Sequence, residues 1–196
     1  MAQSVQTLLP ELLARDILIP MATGITILDP TNESKPATRQ TLARPASIKG
    51  LTIGLLDISK PRGNLFLNRI EELLTERGAK VLRYSKPTFT KPAPVDLRQE
   101  IATQCNLVIE ALADRGSCTS CSVHDISDLE LRGIPGVFVA TEEFISAGTA
   151  QSVSLGLPSM KRVYTTHPVQ DRTDEEMVAM ADQFFLEILS CITSGD

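Results

Sequence analysis

From Lys49 onward, short apolar, β-branched runs alternate with longer stretches of helical periodicity, and that alternation most constrains the fold this chain can adopt. Leu51 to Asp57, Lys80 to Tyr84, Asn106 to Leu112, Ile134 to Ala140 and Arg162 to Thr166 read as strands. Helices are predicted from Asn64, from Val95 to Thr103, from the Cys118 region to Gly133, from Thr141 to Ser154, and from Thr173 onward. In the first of these, Phe66, Ile70, Leu73 and Leu74 mark the buried face, Asn64 is placed to cap and Gly78 to stop. The last opens on Thr173-Asp174-Glu175-Glu176, a capping box, with Met177, Met180, Ala181, Phe184, Ile188 and Leu189 at helical spacing. Strands separated by whole helices pair in parallel, and a parallel sheet needs both faces covered. The predicted class is therefore α/β: three-layer, with a mostly parallel sheet of about five strands, flavodoxin-like, and an N-terminal arm.

The arm is residues 1–48, packed on an α/β domain of residues 49–196. It contains a helical stretch near Leu8 to Arg15, a strand-like run from Gly24 to Pro30 and a polar stretch through Pro45. Its apolar content is too thin to fold alone.

Charge narrows the function classes. With 19 basic against 24 acidic residues the net charge is −5, with no basic stripe, so nucleic acid is not an expected partner. No apolar run approaches the roughly 20 residues that span a bilayer. The first residues lack the basic start and apolar core of a secretory signal, which points to a cytoplasmic protein. Self-association fits the Met- and Phe-rich terminal helix, although core packing explains those residues equally well.

Reactive side chains concentrate in Asp114-Arg115-Gly116-Ser117-Cys118-Thr119-Ser120-Cys121, between a predicted strand and a predicted helix. That turn lies on the sheet edge where open α/β folds bind ligands, and unpaired amides at a helix start favour an anion such as a thiolate. Cys118 and Cys121 form a C-x-x-C pair with three readings: a dithiol redox couple, half of a metal site, or a lone nucleophile at Cys118 with Cys121 packed as a small hydrophobe. Cys105, Cys191, His124 and His167 offer no second paired spacing, so no metal is expected.

Around the cysteines, Arg115 would lower the Cys118 pKa or grip a substrate carboxylate, with Ser117 and Thr119 beside it. Asp114 would hold the arginine or transfer a proton; its plainer role is a turn cap. His124 falls roughly 240° around the helix from Cys118, so it is structural if the helix starts at Cys118 and a proton-transfer candidate if the turn persists past it, whereas Asp125 returns to the Cys118 face. His167, just past a strand on the same edge, is a second proton-transfer candidate. Lys60 and Lys86 each precede a proline just beyond a strand end, which suits an anionic substrate unless they are merely solvated loop lysines. No G-x-G-x-x-G follows the first strand and Gly63 alone makes no phosphate cradle, so no cofactor is expected.

Gly116-Ser117-Cys118-Thr119-Ser120, continuing to Ser122-Val123-His124-Asp125, resembles the family named for its UGSC tetrapeptide, selenoproteins and their cysteine-containing relatives. The likeness extends to Leu28-Asp29-Pro30-Thr31, Gly54-Leu55-Leu56-Asp57 with Ser59-Lys60-Pro61, Lys86-Pro87 with Pro92-Ala93-Pro94, and Arg132-Gly133-Ile134-Pro135. It implies a thiol or selenol redox protein. The family's first reactive position, immediately before Gly-Ser-Cys, is occupied here by Arg115, so the resemblance carries over Cys118 but not the defining pair. The turn is also loosely similar in architecture to the aspartate/glutamate racemase superfamily.

Two functions follow as expectations. One is a cysteine-dependent enzyme acting on a small anionic metabolite through the Cys118 thiolate, by reduction with Cys121 resolving or by non-redox addition, elimination or isomerisation. The other is a non-catalytic binding subunit whose partner chain keeps the intact tetrapeptide.

Overall fold

A computed structural model describes residues 37–195. The helix expected near Leu8 to Arg15 and the strand expected at Gly24 to Pro30 lie outside the described residues. Strands and helices alternate throughout: β1 (Thr52–Asp57), α1 (Gly63–Glu76), β2 (Lys80–Ser85), α2 (Val95–Gln104), β3 (Leu107–Ala113), α3 (Gly116–Leu131), β4 (Gly136–Thr141), α4 (Ile145–Ser154), β5 (Lys161–Thr165) and α5 (Asp174–Ile192).

The strands form one parallel sheet in the order β2-β1-β3-β4-β5. That is the doubly wound, flavodoxin-like order. The chain steps outward from β1 to β2, then crosses back to β3 and proceeds the other way, so the loops after β1 and β3 diverge at a topological switch point. β3 and β4 are buried along their whole length, as central strands covered on both faces must be. Edge strand β2 exposes Lys80 and Arg83. Between Glu110 and Ala113 the β3–β4 register shifts, which re-aims the end of β3 just before the cysteine turn.

Side chains separate into two cores by alternation along the strands. Ile53, Leu55, Ile109, Val137 and Val163 face α1 and α5, while Leu56, Val108, Phe138 and Ala140 face Ile101 of α2, Val123, Ile126 and Leu129 of α3, and the α4 side. In α1 the cap position falls to Arg62, with Asn64 exposed in the first turn. Gly78 does end α1: at φ 81° it adopts the left-handed conformation that lets its amide and that of Ala79 bond back to Thr75 and Leu74. The Thr173–Glu176 capping box forms at α5, Thr173 Oγ1 accepting from Glu176 N at 3.2 Å and Glu176 Oε2 from Thr173 N at 2.7 Å. Phe185 rather than Phe184 is the buried aromatic of that helix, Phe184 packing at the core margin. The helix expected from Thr141 begins later, after a 3-10 turn at Glu142–Phe144, because Thr141 still pairs with Thr165 in the sheet.

Residues before β1 are fastened by a buried ion pair. Glu130, at the end of α3, accepts from Arg44 Nη2 at 2.7 Å, Leu42 N at 2.7 Å and Gly136 N at 3.1 Å. Arg44 also donates to the carbonyls of Gly136 and Cys191. One carboxylate thus ties the chain before β1 to α3 and to the first residue of β4. Leaving a buried guanidinium without its carboxylate costs about 3–5 kcal/mol. Glu130→Ala should therefore lower urea-unfolding stability by that amount, and a loss below about 1 kcal/mol, the range of exposed pairs, would show that the pair is not the fastening.

Candidate functional site

The turn from β3 into α3 places Arg115 at the helix cap position, in extended backbone at φ −148° and ψ 159°. Residues favoured there carry a side-chain acceptor for the first helical amides. A guanidinium has donors only, so it cannot serve that role. The turn is secured instead from within the helix. Cys118 Sγ accepts from Arg115 N and donates to Arg115 O, each at 3.2 Å, and Thr119 Oγ1 donates to the same carbonyl at 2.8 Å. Cys118 is 1% exposed and Thr119 fully buried, so these side chains hold the turn rather than face solvent.

Lys60 and Asp114 meet across the switch point. Lys60 Nζ lies 2.7 Å from Asp114 Oδ1, both side chains are buried, and the ammonium sits 4.5 Å over the Phe89 ring. The second Asp114 oxygen accepts from Gln170 Nε2 at 2.7 Å. Lys60, expected as a ligand-facing loop lysine, is thus committed to a carboxylate. The reason is topological: the loops after β1 and β3 start from adjacent strands at the switch point, and a buried charge needs a partner.

Next to this pair the edge opens into a cleft of about 490 Å³ lined by Asp114, Arg115, Gly116, Phe144, His167, Pro168, Gln170 and Asp171. Arg115 is exposed, and its guanidinium has no partner among the described residues. His167 Nδ1 lies 3.0 Å from Thr141 Oγ1 and its ring meets Phe144 edge-on, so Nε2 is the nitrogen left for a ligand. A larger hollow of about 600 Å³ lies on α1 among Asn68, Glu71, Glu72, Thr75 and Glu76, but it is acidic and remote from the strand ends.

A second buried group lies beneath the cysteine turn. Lys86 Nζ is 2.6 Å from Asp125 Oδ2 and 3.4 Å from Glu110 Oε1, which also accepts from Ser122 Oγ at 2.9 Å. Lys86, expected in a loop facing ligand, is 2% exposed. Burial alone would lower its pKa, but the attraction of Glu110 and Asp125 prevails and raises it. Glu110 is pushed up to about 8, by burial first and by Asp125 second. Burial also pushes the Cys121 thiol up, with Lys86 only partly opposing it.

The structure thus gathers Asp114, Arg115 and His167 at one cleft and leaves the other candidates elsewhere. Ser117 is exposed but does not line the cleft. Cys118 and Cys121 are buried. His124 points away, 3.4 Å from Gln151 Nε2, and lines a separate hollow of about 320 Å³ with Pro92, Arg98 and Leu131. This follows from the helix beginning at Gly116, which turns His124 off the Cys118 face. Among the described residues no group of three or more His, Cys, Asp or Glu is placed to hold a metal. Sequence reasoning missed Gln170 and Phe144, which carry no local signal, and Glu110, whose signal was a lone charge inside an apolar strand.

No curated protein matches the sequence. Among solved structures, rubredoxin oxygen:oxidoreductase from the anaerobe Desulfovibrio gigas is similar at 10% identity and a TM-score of 0.34, over 82% of this chain and 38% of that one. The chain therefore spans well under half the length of that protein. The model of the UGSC family matches residues 26–194, nearly the whole sequence, and by that match the chain belongs to the UGSC family.

Proposed function

We propose that this protein binds a small anionic metabolite at the cleft beside Arg115 and acts on it, or presents it to a partner chain, without using a thiolate. The exposed Arg115 guanidinium, set at a helix start whose amides have no side-chain cap, carries the reading. Both features favour negative charge, and the planar fork favours a carboxylate held bidentately. Where the family resemblance places a selenolate or thiolate, this chain offers a cation, which suits an anion supplied from solution.

The thiol readings have less support. Cys118 is 1% exposed and its sulfur is engaged on both sides by the Arg115 backbone. Cys121 is buried with a raised pKa, the opposite of an activated nucleophile. Acid–base chemistry at the cleft is favoured by one specific observation: Asp114, oriented by Lys60 and Gln170, shares the cleft with His167. In that version Arg115 anchors the substrate carboxylate while Asp114 or His167 moves a proton, which is isomerisation or elimination rather than reduction.

Two measurements test this. Isothermal titration with a panel of small carboxylates and inorganic phosphate should find a ligand whose affinity falls about 10- to 100-fold in Arg115→Ala, as expected for losing a charge-assisted contact of 1.5–3 kcal/mol, with Arg115→Lys intermediate. Binding that survives Arg115→Ala but vanishes in Cys118→Ala would overturn it. In the folded protein, Cys118 should also resist iodoacetamide over a period that fully alkylates the urea-unfolded chain, and rapid native labelling would restore the nucleophile reading.

A further inference from the structure

Glu110 is the charged residue in the middle of β3, 0% exposed, and neither anion binding nor proton transfer at the cleft uses it. Its neighbours across the sheet, Leu56 of β1 and Phe138 of β4, carry no charge. The groups facing it are Lys86 from the segment after β2, and Cys121, Ser122 and Asp125 from α3. One ammonium therefore serves two carboxylates in an interior closed to water. Both Asp125 oxygens have donors, Lys86 Nζ at 2.6 Å and Ala93 N at 2.7 Å, while Glu110 Oε2 has no partner. The cluster balances electrically when Glu110 keeps its proton. Ionisation leaves a buried charge with no cation of its own and one oxygen without a donor.

The same cluster holds residues 86–94 in place. Asp125 grips both ends of that strap, through Lys86 and through the Ala93 amide. Between them Phe89 lies over the Lys60 ammonium, and Lys60 positions Asp114 at the floor of the cleft. The strap thus connects the buried cluster to the candidate binding site through Asp125, Phe89 and Lys60.

We propose that Lys86, Glu110 and Asp125 form a proton-operated latch on the 86–94 strap: with the proton on Glu110 the strap keeps Phe89 on Lys60 and the cleft floor fixed, and release of that proton to bulk water loosens it. The effect on ligand affinity rests on the cleft being the binding site; the motion of the strap does not. Burial and Asp125 support the protonated form, raising Glu110 from 4.5 to about 8. A carboxyl whose pKa is raised in the closed form favours closure fully below its open-form value of 4.5, and the advantage is lost progressively as pH rises toward about 8, then stays constant. Within that window the opening equilibrium grows by at most about tenfold per pH unit.

Hydrogen exchange followed by mass spectrometry on the full chain reads the strap with no ligand present. After correction for the intrinsic pH dependence of exchange, the Ala93 amide, bonded to Asp125 at 2.7 Å, should lose protection by at least about tenfold between pH 6 and pH 8 and level off above it. Glu110→Gln, a neutral isostere of the protonated acid, should keep it protected throughout. Equal loss in wild type and Glu110→Gln, or none in wild type, overturns the latch. If Glu110→Gln does not fold, infrared titration of the wild-type protein decides: a protonated carboxyl band must fade over the same pH range in which the strap loses protection, and its absence at pH 6 sinks the proposal. Failure of carboxylate binding to depend on Arg115 would remove the site reading and leave these outcomes untouched.

Discussion

The Lys60–Asp114 ion pair sits where the strand order reverses, the place where flavodoxin-like sheets ordinarily leave a crevice for a ligand. Here two oppositely charged side chains, each almost fully buried, bridge that crevice and close it. Removing either partner would strand a charge in a low-dielectric interior, so the loops after β1 and β3 are bound to each other by electrostatic necessity. Open space on this edge is displaced toward the loops after β4 and β5, where Phe144, His167 and Gln170 line it. The rest of the site takes its geometry from this displacement.

Beside the pair, the start of α3 departs from the usual chemistry of helix caps. An arginine in the cap position leaves the first amides without a side-chain acceptor, while Cys118 and Thr119 fold back onto the Arg115 backbone and fix the turn. Those contacts explain why two residues that look reactive in the sequence are buried. They also leave the guanidinium and the start of the helix dipole at the same cleft. Gly116, Ser117 and Cys118, which follow Arg115, open the helix at this turn.

Much of the architecture was legible beforehand. The alternation of strand runs with helical stretches fixes a parallel sheet, because a helix-length connection cannot close a hairpin, and glycines such as Gly78 and Gly133 mark helix ends where a left-handed residue is required. Asp114, Arg115 and His167 were legible as site candidates because each lies just past a strand end, and strand ends of a parallel sheet share one edge. The lysines were not. Lys60-Pro61 and Lys86-Pro87 look alike in sequence, both loop lysines after a strand, yet each is buried against carboxylates from β3 or the turn and helix that follow it. His124 and Asp125 differ by one position in the chain and by a whole environment in the fold, since one residue turns a helical side chain by roughly 100°.

What the sequence alone determined is the order and kind of elements, the sheet edge on which the candidate residues lie and the cation at position 115, because periodicity, chain connectivity and residue identity are local properties. Tertiary structure alone decided which charges neutralise one another, which cysteines are shielded and where the cleft opens. Those outcomes depend on distances between residues far apart in the chain, such as Lys60 with Asp114, Lys86 with Glu110 and Asp114 with Gln170, and on burial, which strengthens an electrostatic interaction only after the sheet and helices have excluded water.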